Sequence, residues 1–321
     1  MVDVVVLNNL GGGQSVQVDT LPLPGQTVKG RNWKVNIDAG KGPNSCICMG
    51  RLGIRTAFIG KAGKDAPGDR GESWMAQAGV DTSGLLRSDQ VSTGQGIRVV
   101  EQGGNNLIVC GESSSRALSV DEALAQLHRF QGASFFLTGF EVREELALAA
   151  AREAKAMGMR TALNFSPIQT LDVGPLSYID YLVVNEKEAA QLAQVDDWHQ
   201  LPLEELLRTI QDRYCCGSVI VTLGSEGSAG LEANAFWQVP PIAVDTVDTS
   251  GAGDAFLSAM LVNLVWGADT PSACAWAGAF ASYTTTAPGT IPSYPTLSEY
   301  QATAHYRRWF EPGKAAPSSQ V

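Results

Sequence analysis

Residues 248–256 read DTSGAGDAF and run straight into the apolar stretch AFLSAMLVNLVW. Gly251, Ala252 and Gly253 leave backbone N–H groups uncovered where a helix is about to start. Such a corner attracts an anion, because the first amides of a helix lack internal partners and the helix dipole adds positive potential. Asp254 follows in the first turn. A carboxylate beside an anion cradle suits phosphoryl transfer: the amides hold the migrating phosphate and Asp254 accepts the proton of an attacking hydroxyl. Competing motifs are absent. A dinucleotide fingerprint needs a glycine where Phe256 stands, and no GxxxxGK[ST] loop occurs. Spacing alone leaves two readings open, an anion site or a structural turn followed by a helix-start acid worth up to ~1 kcal/mol.

A corner of this kind needs a scaffold that delivers loops to one edge. Strand-length apolar runs recur at 2–7, 55–60, 134–139, 160–165, 181–185 and 218–224. Helical patterns lie between them. Pro43 falls where a first turn tolerates it, Ser119 and Glu122 have capping-box spacing, and Gly158 suits a C-cap. Further helices are expected near 252–266 and 271–285. The alternation predicts an α/β fold with a mostly parallel sheet covered on both faces. Residues 14–37 and 91–112 alternate in polarity and carry turn residues, which predicts short antiparallel strands forming a small sheet over the site. The core is then 1–13, 38–90 and 113–310, and the tail 311–321 is expected to be disordered.

The chain has 321 residues, 44% of them hydrophobic, so it can bury a large core. A net charge of −10 argues against nucleic acid as a partner. No apolar run is long enough to span a bilayer, and MVDVVVLNNL lacks a basic n-region, so a cytoplasmic protein is expected. The six cysteines (46, 48, 110, 215, 216 and 274) lack zinc-ligand spacing and read as buried thiols.

With these segments in order, the sequence resembles the ribokinase-like, or PfkB, family of sugar kinases, and is most like its ribokinase members. DTSGAGDAF is similar to the family's C-terminal signature and DAGKGPNSCICMGRLG (38–53) to its N-terminal one. GKAGKDAPGDR (60–70), NFSPIQTL (164–171), VVNEKEAAQL (183–192), VTLGSEG (221–227) and GTIPSYP (289–295) match further segments. The resemblance implies a three-layer α/β/α sandwich with a β-sheet lid, and an ATP- and Mg²⁺-dependent kinase acting on a hydroxyl of a small sugar. It implies Asp254 as general base and Gly251, Ala252 and Gly253 as the anion hole. It assigns Asn185, Thr222, Gly224, Ser225, Gly227 and Gly278 to the nucleotide and Glu188 to magnesium. Asn185 and Glu188 also fit a helix cap and a first-turn acid. Asp248, Ser250, Gly289 and Ser293 match the K⁺ site of potassium-activated members.

Gly40, Lys41, Asn44 and Glu141 match sugar contacts, although Ala39 replaces the first glycine of the signature. Relatives carry Asn-x-Asp after the first strand, whereas Gly11 and Gly13 stand here. Losing that carboxylate argues for a substrate other than ribose, unless Asn8, Asn9 or Gln14 compensates. Gly96 and Arg98 have the parity that faces the sugar, and Arg98 suits a carboxylate or phosphate on the substrate. Pairing of two lids implies a homodimer. The alternatives are a nucleoside kinase of the same fold and a catalytically silent sugar-binding regulator.

Overall fold

The apolar runs become the strands of one large sheet in the computed structural model, which describes residues 1–35, 38–102, 105–111 and 113–310. The strands are β1 (Val4–Leu7), β2 (Gly11–Val18), β3 (Arg31–Val35), β4 (Thr56–Gly63), β5 (Asp81–Ser88), β6 (Gly94–Glu101), β7 (Asn106–Cys110), β8 (Phe135–Gly139), β9 (Arg160–Asn164), β10 (Tyr181–Asn185), β11 (Ser218–Thr222), β12 (Ser228–Glu232) and β13 (Ala235–Val239). The helices are α1 (Lys41–Arg51), α2 (Ala66–Gln77), α3 (Val120–Leu127), α4 (Glu144–Ala156), α5 (Glu186–Ala193), α6 (Leu203–Tyr214), α7 (Ala252–Val265), α8 (Thr270–Thr284), α9 (Leu297–Gln301) and α10 (Ala304–Phe310).

Nine strands form the large sheet in the order β13-β12-β11-β10-β9-β8-β1-β4-β5. It is parallel from β5 to β11, and β12 and β13 add antiparallel at one edge. Strand alternation divides the interior in two. Val4 and Val6 join α1, α7 and α8 on one face; Val5 and Leu7 join α3, α4, α5 and α6 on the other. The result is the expected three-layer sandwich. Helix α7 is buried at every residue from Asp254 to Leu264, which anchors its N-terminus rigidly at the carboxyl edge of the sheet.

The small sheet has the order β3-β2-β6-β7. It differs from the expected sheet in two ways. β2 begins at Gly11, because residues 11–13 pair with Gly94, Gln95 and Gly96 instead of forming a core loop. The β2–β6 pair is parallel, not antiparallel. Both strands follow parallel core strands, β1 and β5, so they enter the small sheet in the same direction. One face of this sheet exposes Trp33, Val35, Leu107 and Val109. The opposite parity carries Gly13, Ser15, Gly96 and Arg98 and turns toward the large domain. The tail 311–321 and residues 36, 37, 103, 104 and 112 lie outside the described residues. Cys46, Cys48, Cys216 and Cys274 are buried free thiols, but Cys215 is exposed, because it caps α6 in a left-handed conformation (φ 53°) at the surface.

Candidate active site

Helix α7 begins behind Gly251, whose φ of 77° lies in the left-handed region. A Cβ there would sit 2.3 Å from Thr290 Cγ2 and 2.7 Å from the Tyr294 hydroxyl. Glycine is therefore required by both conformation and space. The Tyr294 hydroxyl donates to the Gly251 carbonyl at 3.0 Å and locks the turn. The Ala252 amide donates to the Thr249 carbonyl at 3.2 Å. It thus closes the turn, where the sequence reading made it an anion donor. The amides of Gly251, Gly253 and Asp254 have no hydrogen-bond partner among the described residues. A Cβ at Gly253 would meet nothing within 4 Å, so the first turn presents donors to an open space. That is what an anion cradle requires.

Asp254 is only 6% exposed. Asn44 Nδ2 donates to its Oδ2 at 3.0 Å, and Lys41 Nζ lies 3.9 Å from its Oδ1. Both partners come from the first turn of α1, whose entry is shaped by glycines. Gly40 has φ 89°, and a Cβ on Gly42 would lie 2.7 Å from Asn8 Cβ. Asn44 is itself oriented by the Ala39 amide, which donates to its Oδ1 at 3.2 Å. The Lys41 amide donates to Glu141 Oε2 at 3.0 Å. Gly40, Lys41, Asn44, Glu141 and Asp254 therefore form one connected group.

The electrostatics of this group are strongly coupled. Burial alone would lower the Lys41 ammonium, but Asp254, Glu141 and Glu188 together hold it above its ordinary value. Burial pushes the Glu141 carboxyl up to about 7 against the opposing pull of Lys41. Asp254 faces a fixed cation and an amide donor, which orient a carboxylate for proton acceptance.

Arg98 reaches down from β6 and donates through Nη1 to Ser250 Oγ at 2.7 Å, while its buried Nε has no partner among the described residues. Asp248 ties the next layer together. Its Oδ1 accepts the Ser250 amide at 2.9 Å and its Oδ2 the Gly289 amide at 3.0 Å. Burial works upward on this carboxyl, but Ser250, Gly289 and Arg98 outweigh it and hold it low. Ser293 belongs to the neighbouring turn and donates to the Thr290 carbonyl at 2.8 Å.

A third group sits at the carboxyl ends of β10 and β11, where Asn185 pairs with Thr222. Asn185 caps α5: its Oδ1 accepts the Glu188 amide at 2.8 Å and Glu188 Oε2 accepts the Asn185 amide at 2.9 Å. The capping reading of this pair is thus realised, and it leaves Glu188 Oε1 without a partner among the described residues. Gly224 (φ 55°), Ser225 and Gly227 (φ 93°) shape the turn after β11. A Cβ on Gly227 would lie 2.2 Å from the Val239 carbonyl oxygen. Gly278 lies on α8 with open space where a side chain would be.

The profile of the pfkB family carbohydrate kinases matches residues 16–297. The chain belongs to that family. It is 28% identical to the ribokinase of Haemophilus influenzae over 299 residues, 92% of this chain and 96% of that protein. It is 27% identical to the deoxyribokinase of Salmonella typhimurium over 306 residues, 94% of each. The structure of Arabidopsis thaliana ribokinase complexed with ribose and ATP superposes with a TM-score of 0.83 at 25% identity, covering 95% of this chain and 100% of that one.

In this carbohydrate kinase the side chains absent at positions 11 and 13 have neighbours standing in their space. A Cβ on Gly11 would lie 3.3 Å from Asn9 Nδ2, and a Cβ on Gly13 would lie 2.6 Å from each carboxylate oxygen of Asp38. Asn9 Oδ1 accepts from the Ser113 hydroxyl at 2.6 Å and from the Ser115 hydroxyl, which pins the carboxamide. Asn8 is buried and its Oδ1 accepts the Asn9 amide at 2.8 Å. Gln14 bonds Gln95 and Trp33 on the exposed face of the small sheet, so it does not compensate. Asp38 is the candidate residue that sequence reading missed. Its only signal was an acid two residues before Gly40-Lys41-Gly42.

Proposed function

We propose that the chain transfers the terminal phosphoryl group of ATP to a hydroxyl of a small neutral sugar, with Asp254 as general base. The observation that carries this reading is the conjunction at the start of α7: unpartnered amides at Gly253 and Asp254 facing open space, beside a carboxylate fixed by Asn44 and Lys41. The sugar hydroxyl lies against Asp254 Oδ1, which takes its proton as the oxygen attacks phosphorus. The amides of Gly253 and Asp254 hold the equatorial oxygens, where they act without reorganising. Lys41, 3.9 Å from Asp254 Oδ1, adds positive potential for the phosphoryl group in flight.

The nucleotide lies along Thr222, Gly224, Ser225 and Gly227, with its phosphates pointing toward α7. The described residues contain no cluster of three or more metal-ligating side chains. That suits magnesium, which takes one or two carboxylates, phosphate oxygens and waters in place of an all-protein cage. Glu188 Oε1 and Asn185 would hold it through water, and it would neutralise charge on the phosphates. The loops tied by Asp248, Ser250, Gly289 and Ser293 are those a potassium ion would use, and dependence of turnover on K⁺ tests that.

The small sheet acts as a lid that excludes water from the transfer. Its exposed Trp33, Val35, Leu107 and Val109 make an apolar patch suited to a second copy, and sedimentation of the V109D variant against the parent tests this dimer. No helix among the described residues is long and apolar enough to cross a membrane. The buried free thiols and the need for ATP suit the cytoplasm.

ADP release over a panel of pentoses, hexoses, pentitols, aldonates and nucleosides tests the reading. ADP formed with a neutral sugar supports it. Phosphorylation of nucleosides alone would establish the nucleoside kinase instead, and sugar binding without ADP would establish the regulator.

A further inference from the structure

Asp38 belongs to the segment between β3 and α1, and its carboxylate lies directly over Gly13 of β2. A side chain at position 13 would displace it from this place, since both oxygens lie 2.6 Å from the position of a Cβ. The glycine is what admits the carboxylate. Residues 11, 13 and 15 share the face of β2 that turns toward the active site, and so do Gly96 and Arg98 of the neighbouring β6. Asp38 is electrostatically coupled to Asp254, Arg98 and Glu141, which places it in the same pocket.

Its bonding is incomplete. No cation lies within ion-pair distance of Asp38 among the described residues: Lys41 is spent on Asp254, and Arg98 donates to Ser250. Burial raises its carboxyl, and the Gly40 amide only partly offsets this. A half-buried carboxylate without a cation is stabilised by hydroxyl donors, and each charge-assisted bond to it is a strong one. Two positions along the same face, Asn9 Nδ2 stands beside Gly11 and donates to nothing among the described residues. The pocket therefore offers an acceptor and a donor side by side, both in space vacated by glycine.

We infer that Asp38 is a specificity-determining residue that accepts hydrogen bonds from the hydroxyls of a neutral polyol, with Asn9 Nδ2 as the companion donor, in the space that Gly13 and Gly11 leave open. The inference rests on the proposed kinase reading and adds its substrate class. With Asp38, Glu141 and Asp254 lining one pocket, a sugar acid whose carboxylate pointed at Asp38 is disfavoured. Gly13, against which this carboxylate lies, belongs to the small sheet, so the grip on the sugar is complete only when that sheet is in place.

The test measures binding and turnover separately. The parent, D38A, D38N and the relocated-carboxylate variant G13D/D38A are compared by calorimetric titration and by ADP release, using D-ribose, D-arabinose, D-fructose, ribitol and D-gluconate. For the neutral compound the parent prefers, D38A and D38N are expected to raise Kd and KM roughly 10- to 100-fold, the cost of one charge-assisted bond to substrate. G13D/D38A is expected to recover part of that loss. Should D38A not fold, D38N keeps the shape and decides the matter. Kd and KM within about two-fold of the parent in the folded variants would overturn the role of Asp38 while leaving the kinase reading intact. A preference for D-gluconate that survives in D38N would also overturn it. A parent that neither binds nor phosphorylates any of the five overturns the inference and the kinase reading together.

Discussion

Replacing Asp254 with asparagine separates its chemistry from its structural role. The carboxamide oxygen of D254N can still accept from Asn44 Nδ2, now 3.0 Å from Asp254 Oδ2, so the buried hydrogen bond survives. What disappears is the charge facing Lys41 Nζ at 3.9 Å. Two unit charges at that separation interact by about 4 kcal/mol at an effective dielectric of ~20. The Lys41 side chain is 34% exposed, and solvent screening reduces its net worth to about 1 kcal/mol. For a chain of 321 residues that is a fall of roughly 1–2 °C in Tm. The chemical cost is far larger, because a positioned general base contributes about 10²–10⁴ in rate. Coupled ADP-release kinetics on the preferred sugar, with thermal unfolding measured in parallel, should show kcat reduced by roughly that factor in a folded protein. A D254N enzyme with kcat within about three-fold of the parent would refute the assignment of the base. D254A serves as a contrast: it leaves Asn44 Nδ2 unpaired and should cost about 1–3 kcal/mol more stability.

Three further outcomes follow from the same geometry. G253A places a methyl in open space at the mouth of the cradle, so stability should hold or rise by up to ~1 kcal/mol while turnover falls at least about ten-fold; G251A, which meets Thr290 at 2.3 Å with φ 77°, should instead unfold at markedly lower temperature. Glu141 has a folded value of about 7 against an ordinary 4.5, so the folded state holds an extra proton between them, and its contribution should fall as pH rises through that window, by up to about 3 kcal/mol, and then level off. Chemical denaturation of the parent and E141Q from pH 4.5 to 8 checks this, and parallel curves would contradict it. R98M removes the donor to Ser250 and a buried Nε without a partner among the described residues, so Tm should move little while sugar kcat/KM falls several-fold; unchanged kcat/KM would deny Arg98 a part in closing the site.

What could be read from the sequence was what neighbouring residues decide among themselves. DTSGAGDAF carries its turn and its helix-start acid within nine consecutive positions, so the start of α7 was legible without the fold. The capping boxes at Ser119–Glu122 and Asn185–Glu188 were legible for the same reason. Long-range relations were not. The parallel pairing of β2 with β6 depends on where β1 and β5 end, and the alternation of 91–112 carries no information about strand direction. The three glycines at 11–13 looked like a loop, because a strand of glycine has no pattern to display. Ala252 was taken for an anion donor on position alone, and only backbone geometry reveals that its amide is turned to Thr249. Asp38 was missed because its meaning depends on Gly13, distant in sequence, having no side chain.

The arrangement also explains why a small sheet would be tied to the transfer step instead of merely shading it. Arg98 is the point where β6 touches the loop that leads into α7, and its partner Ser250 is adjacent to Gly251. Ser250 in turn gives its amide to Asp248, which receives Gly289 from the loop that packs Thr290 against Gly251. These bonds link the small sheet to the turn whose amides would face the phosphate on the proposed function. On the same face of the small sheet, the Asp38 carboxylate lies against Gly13 of β2. On the proposed function, a small sheet that closed over the site would bring the Asp38 carboxylate and the Arg98–Ser250 contact into place together. On the proposed function, hydrolysis of ATP without sugar would require water at Asp254 with that contact formed, and the closed sheet that formed it would also exclude water. Coupling both functions to one element is a physical route to a kinase that spares its nucleotide until a sugar is present.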